Sequence, residues 1–309
     1  MDNILTVTSS PHIRSKTTTR NIMTDVCIAL APTLVASVYI FGFRSLLVTF
    51  TCILACCLFE FMWQRLMGLP VTVRDMSAVV TGGLLAFNLP ATIPLWMAVI
   101  GCAAAILVVK QMFGGIGKNF ANPAIVGRIV LLVSFAGQMT RWVVPLRGIG
   151  FVDTVTAATP LAAGLSAAPS YLDLFLGTVG GSLGETCKLT LLLGGVYLVA
   201  RRVITVTTPL AFMGTVFLFT WVLGYDPIFH FLAGGLILGA LFMATDYVTT
   251  PTTEKGKIIF GVGCGIVTVV IRIFAAYPEG VSFAILLMNI LTPHIDSLCK
   301  NKAFGGVKA

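Results

Sequence analysis

Long apolar runs separated by short polar turns recur along the chain from Ile22 onward. Each run is near the 20 residues that cross a bilayer core, so the pattern predicts helices in lipid. The expected spans are roughly 22 to 43, 45 to 64, 76 to 90, 93 to 110, 122 to 138, 187 to 200, 203 to 223, 228 to 247, 257 to 276 and 281 to 298. This is an all-α polytopic membrane protein with about ten transmembrane helices. Five fall in residues 22–138 and five in 187–298, and an odd number per half makes two inverted five-helix repeats. Residues 1–21 and 299–309 are polar tails, and 139–186 form a long connection. Within it, Tyr171 to Gly184 reads as a short interfacial or re-entrant helix. Gly82-Gly83-Leu84 before Asn88-Leu89-Pro90 is echoed by Gly234-Gly235-Leu236 before Ala244-Thr245-Asp246, although the span count carries more weight than this echo.

Two stretches break the pattern. Asn88-Leu89-Pro90-Ala91-Thr92-Ile93-Pro94 places two prolines and a polar residue in an apolar region. Non-helical backbone at such depth must be buried in protein or line a cavity. The second break runs from Phe113 to Ala124, where Gly114, Gly115 and Gly117 lead to Asn122-Pro123. Asn122 suits an N-cap, and Pro123 suits a first helical position that needs no N–H. A glycine-rich turn entering a helix offers free N–H groups to an anion, or it is simply a tight turn with an ordinary cap. No Walker sequence is present.

Composition agrees with the hydropathy pattern. Of 309 residues 57% are hydrophobic and 10% charged, and the mean hydropathy is +0.97, which leaves no segment for a soluble domain. The net charge of +8 does not point to nucleic acid, because most Lys and Arg lie in the tails and alternate loops. That asymmetry places the N- and C-termini in the cytoplasm and the connection around residues 139–170 on the outer side. The first apolar run exceeds a signal-peptide core, so it reads as an uncleaved span. The eight cysteines show no metal-type spacing and are expected to pack as small hydrophobes. His12, His230 and His294 are well apart, and no metal site is expected.

Ionisable residues within apolar runs need a partner, water or an ion path, since each costs roughly 2.5 to 3.5 kcal/mol at a helix centre. Glu60, Glu185, Asp246, Arg128 and Arg272 are such residues. Glu60, Glu185 and Asp246 are candidates for an ion pathway, with snorkelling or capping as the alternative for Glu60 and Asp246. Arg128, past Pro123, is expected to be buried with an acidic or anionic partner. In the outer connection, Asp153-Thr154-Val155-Thr156-Ala157-Ala158-Thr159-Pro160 is a threonine-bearing polar loop. It resembles a flavin attachment sequence, with a surface loop of small residues as the alternative reading.

Taken together, the stretches Ser10 to Ile13, Leu89 to Trp96, Phe113 to Ala124, Asp153 to Pro160, Gly180 to Thr186, Met243 to Asp246 and Tyr277 to Gly280 resemble one family. It is that of the D subunit of the Rnf complex, the ion-pumping ferredoxin:NAD oxidoreductase, and of the related B subunit of the sodium-pumping NADH:quinone oxidoreductase. The short N-terminus favours the Rnf branch. The resemblance implies a urea-transporter-like fold with broken or re-entrant helices in a bacterial cytoplasmic membrane. It also implies FMN esterified to Thr159, with Asp153, Thr156 and Ala158 completing the flavinylation motif. By similarity to the quinone-reductase subunit, a noncovalent riboflavin is expected near Asn119 and Asn122, with Arg128 among the cofactor-binding residues. Ala157 departs from the glycine usual at that place, which bears on how fully the site is modified.

The function implied is that of a membrane electron carrier with no catalytic residue and no complete cycle of its own. The family's electrons pass from the outward-facing flavoprotein G subunit toward the cytoplasmic NAD-reducing C subunit, with the membrane A and E subunits as further partners. The transfer is coupled to Na⁺ or H⁺ movement. A solute channel of inverted-repeat fold is the rival class, and a cofactor-free scaffold or a quinone-reductase component are further alternatives.

Overall fold

The structure, a computed structural model, describes residues 17–143, 156–157, 170–275 and 280–300. Helix α1 (Thr19–Phe41) starts where the Thr18 hydroxyl accepts from the Asn21 N–H. It ends at Gly42, whose φ of 74° lets the chain turn directly into α2 (Phe43–Leu66). With α12 (Glu254–Phe274) and α13 (Val281–Leu298), these are the four described helices long and apolar enough to cross a membrane. Their outward faces carry Val35, Tyr39, Phe50, Phe274 and Leu298, all exposed, as lipid contact requires.

The helices between them are shorter. They are α3 (Ser77–Phe87), α4 (Leu95–Ala103, continuing as a π-helix over Ala104–Gln111), α5 (Pro123–Ser134) and the single turn α6 (Ala136–Met139). In the C-terminal half come α7 (Tyr171–Leu176), α8 (Lys188–Ala200), α9 (Thr207–Val222), α10 (Pro227–Leu232) and α11 (Leu236–Leu238, continuing as a π-helix over Gly239–Met243). Helix α2 packs on α3 and α4, α4 on α5, α9 on α10 and α12, and α12 on α13. The halves meet where α1 packs on α8 and α5 on α13.

The structure corrects three expected elements. The run at 228 to 247 is no continuous helix: Ala233, Gly234 and Gly235 interrupt it between α10 and α11. The short helix of the long connection stops at Leu176, and 177–187 continue without a helix. Among the described residues, the otherwise helical chain also contains a two-stranded antiparallel ladder, β1 (Trp142–Val143) with β2 (Thr156–Ala157), pairing Trp142 with Ala157 and Val143 with Thr156.

The break at Asn88–Pro94 is buried in protein, as its polar backbone demands. The Leu183 N–H donates to the Leu89 carbonyl at 3.0 Å and the Gly184 N–H to that of Phe87 at 2.8 Å. Arg44 donates to the Ile93 carbonyl at 3.1 Å. The non-helical segment before α8 thus supplies the bonds that α3 gives up where it ends.

Candidate functional site

A cavity of about 430 Å³ opens at the end of the molecule where α3 and α5 begin. Its apolar wall comes from both halves, with Ile22, Val26, Leu84, Leu198, Leu241 and Phe242 among its residues. Its polar side includes Thr81, Asn119, Asn122, Thr245 and Asp246. The glycine-rich turn reaches the wall at Ile116 and Gly117, with Gly114, Gly115 and Gly117 at φ values of 108°, 91° and 88°. Such angles favour glycine because a Cβ crowds the backbone there.

The two asparagines do different work. Asn122 is the N-cap of α5: its Oδ1 accepts from the Ala124 N–H at 3.0 Å, and its Nδ2 donates to the Met243 carbonyl at 3.3 Å. It therefore joins the halves behind the cavity as well as lining it. Asn119 donates to the Ala121 carbonyl at 3.0 Å and shares the cavity wall with Asp246. Thr249 donates to the Asp246 carboxylate at 3.1 Å. The arrangement provides an apolar slot with amide, hydroxyl and carboxylate groups on one side, suited to a flat ligand with a polar edge.

Glu60 neither snorkels nor caps. Its side chain is 1% exposed, and it accepts from the Lys110 ammonium at 2.6 Å. Lys110 also donates to Ser77 Oγ at 2.6 Å, while Ser77 Oγ donates to Asp75 at 2.6 Å. Gln64 and Thr72 bond the second Glu60 oxygen at 3.4 Å. Lys110 belongs to the cavity wall, whereas its place along the chain marks it only as one more cytoplasmic positive charge. A buried Glu60 is itself the signal that a cation must be near, but the partner lies 50 residues away and no local pattern identifies it.

A second group of charges fills the centre. Arg128 donates to Asn88 Oδ1 at 2.7 Å, tying α5 to the first break. Lys188 donates to the Gly234 carbonyl at 3.1 Å and to that of Glu185. Arg272 donates to the carbonyls of His230 at 2.6 Å and Ala233 at 3.0 Å. The Glu185 carboxylate is the acidic charge in electrostatic range of all three cations. The buried acidic neighbour expected for Arg128 is therefore Glu185. Lys188 and Asn88 are not among the expected site residues, although the proline-flanked break marks the place of Asn88.

Asp153, Ala158 and Thr159 lie outside the described residues. Thr156 and Ala157 form β2, and these two residues are paired with Trp142–Val143. The carbonyl of Arg141, just before β1, accepts from the Thr92 hydroxyl at 3.3 Å, which ties the root of the loop to the Asn88–Pro94 break. The eight cysteines carry no disulfide, and Cys52, Cys56, Cys102 and Cys264 are buried.

Comparison with known proteins covers nearly the whole chain. The profile described as the NQR2, RnfD, RnfE family matches residues 6–305. The D subunit of the Na(+)-translocating ferredoxin:NAD(+) oxidoreductase complex of Acetobacterium woodii is 48% identical over 98% of this chain and 96% of its own length. The D subunit of the proton-translocating ferredoxin:NAD(+) oxidoreductase complex of Clostridium ljungdahlii is 44% identical over 98% of this chain and 97% of its own. The D subunit of the ion-translocating oxidoreductase complex of Stutzerimonas stutzeri is 40% identical over 92% and 91%. The helix breaks, the cavity wall and the central charges all lie within the matched range, and the chain belongs to the NQR2, RnfD, RnfE family.

Proposed function

We propose that this chain is the D subunit of an ion-translocating ferredoxin:NAD(+) oxidoreductase, that Thr159 carries FMN as a phosphoester, and that the cavity holds a noncovalent riboflavin. The observation that carries the cavity reading is its lining. About 430 Å³ lies within the roughly 300 to 1,000 Å³ of small-molecule sites, and its walls are apolar with a few convergent polar groups. Asn119 and Asn122, named from the sequence, are both in that wall. Lys110 and Asp246 are the charged residues among the lining. Since Lys110 is already paired with Glu60, the site suits a flavin without a phosphate. Bound flavin supplies reversible electron transfer that no side chain here provides. The chain contributes an apolar enclosure, the Asn119–Asp246 edge and a fixed position between its two halves.

The reading extends to topology and partners. Two inverted repeats are supported by the packing scheme: within each half the second helix meets the fourth and the fourth meets the fifth. Counting α10 and α11 as one interrupted helix, the first helices of the halves pack together, as do the fifth. The Lys and Arg asymmetry supports cytoplasmic termini in a bacterial cytoplasmic membrane, with the Thr159 loop outside. The G, C, A and E subunits are then its partners. The cavity and the Thr159 loop would lie at opposite ends, because α2 runs from Arg44 at the Ile93 break to Glu60 beside the cavity. Asp246 and Glu60 would be the acidic groups nearest a cation entering from the cavity end.

Flavin fluorescence of the denatured protein on a gel tests the covalent site. A bright band from cells containing the flavin transferase is expected, and Thr159→Val is expected to darken it. A dark wild-type band would overturn the covalent reading, and a bright Thr159→Val band would move the attachment site. The flavin that denaturation releases from the folded protein tests the cavity. One riboflavin per chain is expected, and none would remove the cavity assignment.

A further inference from the structure

Helix breaks at membrane depth leave main-chain carbonyls without helical partners, and in broken-helix transporters such carbonyls ligate the free coupling cation. In this chain the carbonyls at the break between α10 and α11 are already taken. Arg272 occupies those of His230 and Ala233, and Lys188 occupies that of Gly234. The adjoining Gly235 faces Glu185 and Arg128: a methyl built there would lie 3.2 Å from Glu185 Oε2 and 3.9 Å from Arg128 Nη1. Arg128 also reaches Asn88 at the first break. Three protein-borne cations thus converge where the two breaks meet, and one carboxylate, Glu185, faces them. Arg128, Lys188 and Glu185 are each 4% exposed and Arg272 is half-buried, and His230 and Cys187 are further titratable groups beside them.

We propose that Arg128, Lys188 and Arg272 form a fixed cationic seal, which occupies the carbonyls that would otherwise hold a free cation and keeps cations from crossing the centre of this chain. Repulsion between like charges is far stronger in such an interior than in water. Positive groups in a passage exclude cations and protons by this means in other membrane proteins. Glu185 then acts as the counter-charge that makes the cluster tolerable, not as a ligand of the moving ion. The translocated cation takes a route outside this junction. The inference stands on the central side chains and is independent of any flavin in the cavity.

The test is passive leak through the purified complex in proteoliposomes. It is measured with radioactive Na⁺ and with a pH-sensitive dye trapped inside vesicles under a potassium diffusion potential. Wild type is expected to be as tight as protein-free vesicles. A doubly neutral variant, Arg128→Met with Arg272→Met, is expected to leak at least on the order of tenfold faster, and the Arg128→Lys, Arg272→Lys pair to stay tight. A doubly neutral variant that assembles and leaks no faster than wild type would overturn the seal. Glu185→Gln provides an arm that does not depend on that variant folding. It is expected to leave the number of cations moved per electron pair unchanged, and loss of cation movement with electron transfer retained would make Glu185 an ion ligand and sink the proposal.

Discussion

Lys110 and Glu60 are two charges removed from solvent together, and each makes the other tolerable. Their 2.6 Å contact is supported by Ser77 on one side and by Gln64 and Thr72 on the other. Removing one partner of a buried pair typically loses about 3 to 5 kcal/mol, because the remaining charge has no compensation. Lys110→Met is therefore expected to destabilise the protein by about that much, and Glu60→Gln with Lys110→Met to recover most of the loss. Thermal unfolding in detergent, read for both single variants and the double, checks this. Equal losses in the single and double variants would show that the pair is not what stabilises this corner. At this scale sequence reasoning singles out Glu60, Glu185 and Arg128, because ionisable groups in apolar runs stand out. The partners of Glu60 and Arg128 escape it, since Lys110 and Asn88 lie 50 and 40 residues away.

Among the helices, close approach matters more than propensity. Helix α8 crosses α1 at Gly194, where a methyl would strike the Ala29 carbonyl. Nothing in the apolar pattern of α8 sets Gly194 apart from a glycine such as Gly214 in α9, which has open space around it. Gly194→Ala is expected to lower the melting temperature by several degrees, since overpacking typically costs about 1 to 3 kcal/mol. Gly214→Ala is expected to be neutral or to gain a few tenths of a kcal/mol through the lower helix propensity of glycine. If Gly194→Ala melts with wild type, α1 and α8 are not in this contact. The same contrast explains which elements could be read in advance. The long helices α1, α2, α12 and α13 announce themselves by length and hydropathy. The break between α10 and α11 does not, because Ala233-Gly234-Gly235 remains apolar, and the opening shows only in the fold, in the extended Ala233, the positive φ of Gly234 and the Arg272 and Lys188 bonds to the carbonyls.

For the whole molecule, the relevant objects are the cavity and the central seal, each assembled from both halves. Leu84 lies in the cavity wall and is 5% exposed, so a larger side chain there must enter the open space. Leu84→Trp is expected to expel a noncovalent flavin while leaving a covalent one at Thr159, which would reduce flavin per chain from two to one. Flavin extraction before and after denaturation measures this, and an unchanged ratio would place the noncovalent flavin elsewhere. Order along the chain was enough to establish that the protein is helical and membrane-bound, where its long spans lie, and which family it joins. Hydropathy, loop charge and ordered motifs are local or sequential properties, so they need no knowledge of distant contacts. The folded arrangement was required to bring Asn119 and Asn122 into a cavity wall, to set Lys110 against Glu60, and to gather three cations at two helix breaks. Those facts depend on which carbonyls are left without helical partners and which side chains reach them from distant points of the chain, and electrostatics in a buried interior acts across that distance whatever the separation in sequence.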